Sequence, residues 1–159
     1  SISVIEEKAF TRCSSLTSLV LPGSIVTIND GTFSGCSNIT SLVLPKGVTT
    51  IGESAFSGCS KLASLTLSET ITVIKAKAFE KCSSLVSLNL PNSVKSIGKR
   101  AFSDCAKLKS VTLPDGATEI KENAFSGCPA AIFFDENYTE QYRYRNLFVL
   151  YLESVFVSL

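Results

Sequence analysis

The feature of this sequence that most limits its possible folds is its period. Cysteines stand at 13, 36, 59, 82, 105 and 128, so every interval is 23 residues. Phe10, Phe33, Phe56, Phe79, Phe102 and Phe125 keep the same interval, each three positions before a cysteine. Ile5, Ile28, Ile51, Ile74, Ile97 and Ile120 form a third column without exception. Leu19, Leu42, Leu65, Leu88 and Val111 form a fourth, and Leu21, Leu44, Leu67, Leu90 and Leu113 a fifth. No insertion or deletion breaks the frame from Ile5 to Cys128. Self-similarity at such a period marks a solenoid: one unit cannot bury its own apolar residues, and stacking successive units buries them together.

Within a unit, a stretch such as Leu16-Thr17-Ser18-Leu19-Val20-Leu21 alternates inward and outward over its second half, which predicts a short half-buried strand. Pro22, Pro45, Pro91 and Pro114 end four of these strands, since proline lacks the N–H a ladder needs; Ser68 takes that place once. The remaining residues suggest turns and short 3₁₀ pieces, because 23 residues leave little room for a full helix. Parallel strands would then sit about 4.8 Å apart, turning each column into a ladder. The six phenylalanines should form an aromatic spine on the side away from the strands, each contributing roughly 1.5–3 kcal/mol by burial.

These residues resemble the BspA-like class of leucine-rich repeats, found in bacterial and protist surface proteins. That unit looks like Leu-x-x-Leu-x-Leu-Pro-x-x-Val-x-x-Ile-Gly-x-x-Ala-Phe-x-x-Cys, and the resemblance covers residues 1 to 128. It implies a leucine-rich-repeat solenoid of the right-handed β/α superhelix class, with short parallel strands on a concave face and turns and 3₁₀ segments on the convex face. It also implies adhesion or protein recognition, without catalysis and without a cofactor. The fold alone does not select a ligand.

Composition narrows the chemistry further. The chain has no histidine, which removes histidine-based triads and mixed Cys/His zinc sites. A net charge of +1 gives no global attraction to nucleic acid or an anionic membrane. No glycine-rich phosphate loop, paired acidic dyad or nucleophile elbow appears, and an enzyme is not expected. Cysteines 23 apart do not match the close pairs of a zinc ribbon. Buried reduced thiols in a packed column are the favoured reading; disulfides between neighbouring repeats are the alternative.

The outward strand positions are the candidate ligand site. Ser18, Ser41, Ser64, Ser87 and Ser110 make one column, and Val20, Val43, Thr66, Asn89 and Thr112 the next, with no charge in either. Such a surface could accept an extended protein segment or a glycan; small side chains that merely relieve crowding on a concave sheet are the competing explanation. Charge is uneven: residues 71–110 carry a net of +6 and residues 111–159 a net of −4. Lys77 and Arg100 share a column and Lys99 adjoins them, a candidate basic patch for an acidic partner or sulfated glycan, against the simpler reading of a solvated rim. Nucleic acid is not expected, because no exposed aromatics interleave with these residues. Two glycosylation sequons, Asn38-Ile39-Thr40 and Asn137-Tyr138-Thr139, support secretion only weakly.

The ends differ from the middle. Ser1 to Ile5 matches only the back half of a unit, so the chain reads as a fragment or processed product with more repeats or a cap before it. The first complete strand, Leu16 to Leu21, is then expected to have an uncovered edge. Residues 1–136 form the solenoid of about six repeats, and 137–159 a C-terminal cap. In the cap, Asn137 and Glu140 fit a capping box that opens a short helix from Tyr138 to Arg145, followed by a strand from Leu147 to Leu152. The apolar tail beyond Glu153 reads as part of the cap, as a partner or oligomer contact, or as the start of a truncated membrane span; it is too short to cross a bilayer itself.

The leading expectation is therefore a non-enzymatic recognition or adhesion module of a larger cell-surface or secreted protein, binding a protein or glycan on the strand face. The alternative is a scaffold subunit of an intracellular, cytoplasmic assembly that docks through the solenoid edge or the apolar tail.

Overall fold

A computed structural model describes residues 2–113 and 119–129. The expected C-terminal helix and strand, the apolar tail, Pro114 and the Asn137 sequon lie outside those residues. Among the described residues there is no helix, and hence none long and apolar enough to cross a membrane.

The chain winds as a parallel-strand solenoid held by three hydrogen-bonded ladders. The continuous one is built on the isoleucine column: β1 (Thr27–Ile28), β3 (Thr50–Ile51), β5 (Val73–Ile74), β7 (Ser96–Ile97) and β9 (Glu119–Ile120) form one five-stranded parallel sheet. Its register follows the repeat, with Ile28 opposite Ile51, Ile51 opposite Ile74, and so on to Ile120. Each later repeat donates to the earlier one, as Gly52 N–H does to the Ile28 carbonyl at 2.7 Å and Gly98 N–H to Ile74 at 2.8 Å. This segment was expected to hold turns. Two residues per repeat are too few for alternation to reveal, yet a β-branched isoleucine packed inward suits a pleated ladder.

The second ladder is the expected one. It consists of β2 (Ser41–Val43) paired with β4 (Ser64–Thr66), and β6 (Ser87–Asn89) paired with β8 (Ser110–Thr112), all parallel and in 23-residue register. It differs from expectation in two ways. Residues 18–20 are not in a strand, and β4 and β6 are not paired, so the ladder is two separate pairs. The break falls after the one unit whose strand ends in Ser68 in place of proline. In every fully described unit the proline position opens a turn, the Val48 N–H bonding to Pro45 and the Ile71 N–H to Ser68.

The third ladder lies at the phenylalanine column and runs the other way. Phe33 N–H donates to the Ala55 carbonyl at 2.8 Å and Phe56 N–H to Ala78 at 2.8 Å, the earlier repeat giving to the later. Left-handed residues bracket each phenylalanine, as at Lys77 (φ 55°) and Lys81 (φ 60°), or Gly31 and Gly35 in the second unit. A positive φ at the third residue of a four-residue turn is the type II geometry, and the Cys36 N–H closes one such turn on Phe33 at 3.1 Å. Repeated left-handed residues stop these turns from propagating, which is why the expected 3₁₀ pieces are turns instead.

Between the ladders sits one apolar core. The rings of Phe10 through Phe125 form an unbroken stack with centroids 5.2–5.5 Å apart and planes within 6–9°. The expected aromatic spine is thus present, in the offset geometry aromatic pairs favour.

Candidate functional site

The β2, β4, β6 and β8 strands position the candidate ligand surface. Leu42, Leu88 and Val111 turn inward and are buried, and Leu65 is half-buried. Alternation then forces their neighbours outward. Ser18, Val20, Ser41, Val43, Ser64, Thr66, Ser87, Asn89, Ser110 and Thr112 are all exposed. The register aligns Ser41 with Ser64 and Val43 with Thr66, and likewise Ser87 with Ser110 and Asn89 with Thr112. The surface is therefore two parallel rows of small side chains without a charge. It is graded along its length: Val20 is 91% exposed and Val43 64%, while Thr66, Asn89 and Thr112 offer hydroxyl and amide groups. Exposed valines with nothing covering them mark the apolar end as the part with most to gain from a partner.

The structure brings the basic candidates together but engages two of them. Lys77 N–H bonds to the Lys99 carbonyl at 2.9 Å, so these residues are neighbours. Lys99 Nζ pairs with Glu122 at 2.6 Å, and Arg100 with Glu80 at 3.0 Å and Asp104 at 3.7 Å. Glu122, with Lys99 bonded to it, has its carboxyl held below the usual range. Lys99 and Arg100 are thus each matched by an acid from an adjacent turn, with Asp104 of the same turn also beside Arg100. The left-handed backbone at Lys77 and Arg100 was not legible in the sequence.

All six cysteines are free. Cys36, Cys59, Cys82 and Cys105 are buried, Cys128 half-buried and Cys13 exposed, so the expected burial holds for the inner repeats and fails at Cys13, which no preceding repeat covers here. Each thiol from the second repeat onward donates to the phenylalanine carbonyl 26 residues earlier: Cys36 to Phe10 at 3.1 Å, Cys59 to Phe33 at 3.4 Å, Cys82 to Phe56 at 3.3 Å, Cys105 to Phe79 at 3.4 Å and Cys128 to Phe102 at 3.2 Å. A reduced thiol is thus a donor linking turns as well as a core atom. Burial pushes the Cys59 thiol up to about 12, and those of Cys36 and Cys82 upward too. Among the described residues no group of three potential ligands could hold a metal ion.

The Asn38 sequon lies on the turn before β2, and its side chain is engaged. Its Nδ2, the atom a glycan would need, donates to the Ser14 carbonyl at 2.6 Å, and the residue is half-buried.

Parallel ladders, an inward leucine and isoleucine core and an uncharged strand face define a leucine-rich-repeat solenoid, a repeat module of the kind suited to protein interaction. Residues 3–132 match the BspA type leucine rich repeat region in six copies, and the chain belongs to that family. Among solved structures it is similar to the T. pallidum leucine rich repeat protein, with 36% identity over 69% of this chain and 54% of that one, at a TM-score of 0.67. A leucine rich cell surface protein from Faecalibacterium prausnitzii is 27% identical over 82% of this chain and 35% of its own, at 0.72. A leucine-rich repeat protein from Bacteroides ovatus is 26% identical over 82% of this chain and 43% of its own, at 0.56. The chain thus spans between 35% and 54% of the length of these relatives. No curated protein matches the sequence.

Proposed function

We propose that this chain is a non-enzymatic recognition module of a larger cell-surface or secreted protein, and that it binds an extended protein segment along the Ser18–Thr112 strand face. The observation that carries this reading is the pair of exposed, uncharged rows, in register between Ser41–Val43 and Ser64–Thr66 and again between Ser87–Asn89 and Ser110–Thr112. Small outward groups let a partner backbone approach closely, and Val20 and Val43 supply apolar contact at one end. A glycan is a second ligand chemistry for the hydroxyl end of the same face. Membership of the BspA-type family and similarity to a cell-surface protein support the surface location.

To test it, Ser64, Thr66, Ser87 and Asn89 are replaced together by Glu. Partners captured by the immobilised wild-type chain from an extracellular protein mixture are purified and titrated against both chains. With an unchanged thermal melt, a Kd at least about tenfold weaker supports the strand face; an equal Kd rules it out.

A scaffold role is the second reading, favoured by the exposed apolar edge at Ile2, Val4 and Phe10, which are 63%, 59% and 41% exposed. Glu substitutions at Ile2 and Val4 that abolish assembly, with strand-face variants silent, would favour it.

A further inference from the structure

The two outward rows of the strand face are uncharged, but the columns beside them carry charge of one sign. The stretches 14–21, 37–44, 60–67, 83–90 and 106–113 hold that face and its approaches. They contain Lys61, Lys107 and Lys109 and none of the chain's 14 acidic residues. All three lysines are exposed. Lys61 and Lys107 share a column two repeats apart, roughly 10 Å at the spacing of paired strands. Lys109 N–H bonds to the Val86 carbonyl at 2.8 Å, which sets Lys109 one rung beyond Val86 and next to the Ser87–Ser110 row. Lys99 and Arg100 are held by acids, whereas Lys61, Lys107 and Lys109 make no ion pair among the described residues. Cations of one sign within about a Debye length, with no acid between them, keep a local positive potential. The other end of the face is apolar, with Val20 91% and Val43 64% exposed. The face therefore has a direction, from valine on its first two rungs to lysine on its fifth.

We propose that the extended protein segment bound on this face is acidic where it lies over Lys107 and Lys109 and apolar where it lies over Val20 and Val43. The inference rests on the strand-face reading and adds the chemistry of the ligand to it. Four rungs separate Val20 from Lys109, roughly 19 Å, which about six residues of extended chain span. Such a segment crosses the serine row, whose small side chains leave room for its backbone, and its carboxylates at one end come within reach of the lysine ammonium groups. Apolar side chains at its other end cover the valines, which gain most from losing water. Exposed charges matched in this way select the partner and fix its direction more than they tighten it. An amide in place of each carboxylate keeps the shape and loses the match.

The test is fluorescence anisotropy on the full chain with labelled peptides of sequence Val-Thr-Val-Ser-Asp-Ser-Asp-Asp, its reversed order, and versions of both with Asn for Asp. One order should bind at least about tenfold more tightly than its Asn version at low salt, an advantage lost near about 0.5 M salt. Lys107→Glu with Lys109→Glu should abolish the advantage. Lys95→Glu with Lys121→Glu, the same change of net charge at exposed lysines on the isoleucine-ladder side, should leave it intact. Should the first pair fail to fold, Lys107→Gln with Lys109→Gln should reduce the advantage by about threefold or more. Amide shifts mapped by NMR should include Val43, Ser64 and Ser87 as well as Lys109. Equal binding of the Asp and Asn peptides, with shifts still on Ser64 and Ser87, would overturn the acidic ligand and leave the strand face standing. Charge-dependent binding with shifts confined to the lysines would overturn both. An advantage lost equally in the Lys95 and Lys121 variant would reduce the effect to net charge and overturn the proposal. So would a sulfated oligosaccharide that shifts the same amides while neither peptide binds, since it would assign the face to a glycan.

Discussion

The thiol column predicts an alkaline weakness whose size follows from one residue. Cys59 is fully buried against the Phe33 carbonyl, and burial raises its thiol from 9.0 to about 12. Between those values the unfolded chain releases a proton that the folded chain keeps, so the folded state binds more protons and stability falls as pH rises. The contribution is intact below pH 9 and declines towards pH 12. At pH 10 an ordinary thiol is about nine-tenths ionised and Cys59 hardly at all, a loss of about 1.4 kcal/mol relative to pH 8. The perturbation is Cys59→Ser, which keeps a donor for the Phe33 carbonyl and removes the titration. Urea melts of both proteins at pH 8 and pH 10, with reductant present, isolate this residue, because lysines and the other thiols titrate alike in both. The stability advantage of the wild type should shrink by about 1.4 kcal/mol over that interval. An unchanged difference between the two proteins would refute the assignment of Cys59 to a dry, proton-retaining site. Cys82, also raised by burial, should repeat the result with the same sign.

Ring burial sets the next expectation: Phe56→Ala, removing a fully buried ring stacked on both faces, should cost about 3–5 kcal/mol, and Phe10→Ala less than half of that, read from urea midpoints. Gly98 lies on the preceding turn so closely that an added Cβ would stand 2.5 Å from the Lys75 carbonyl carbon; Gly98→Ala should cost about 1–3 kcal/mol, whereas Gly23→Ala, with open space around it, should change the melt by less than about 0.5 kcal/mol. A thiol reagent at neutral pH should modify Cys13 first, and Cys36, Cys59, Cys82 and Cys105 only as the chain unfolds, followed by peptide mapping.

What could be read from the sequence was whatever repeats as a side-chain identity. Phe33, Ile51, Leu88 and Cys105 announce themselves because each column needs one shape, and the structure buries all four. The exposed rows from Ser18 to Thr112 follow from the same alternation. Hidden from that reading was whatever depends on backbone direction alone. The two-residue β3 and β5 strands carry one invariant isoleucine each, and alternation needs more residues than that to show. The left-handed column runs Lys8, Gly31, Ser54, Lys77, Arg100 and Asn123, six residues of five types, so no identity betrays it. The thiol-to-carbonyl bonds explain why the cysteine column is cysteine, which packing alone left open between thiols and any small apolar group.

The left-handed columns also explain how charge came to sit on this rim. A non-glycine residue there costs on the order of 1–2 kcal/mol, and Lys77, Lys81, Arg100 and Asp104 all accept that cost. What offsets it is that each such residue donates its N–H to the next turn, at 2.9 Å for Lys77, 2.8 Å for Lys81, 3.3 Å for Arg100 and 2.7 Å for Asp104. Because the backbone supplies the bond whatever the side chain is, these positions are free to carry a charge that points away from the core. The strand rows are freed in a different way, by facing outward from a paired ladder. The core columns and the outward positions are thus separable in this chain. The columns of isoleucine, phenylalanine and cysteine hold the turns together, whereas the outward rows vary, from Val20 and Val43 to Asn89 and Thr112, without any change in the core; under the proposed function these are the positions that would set ligand choice.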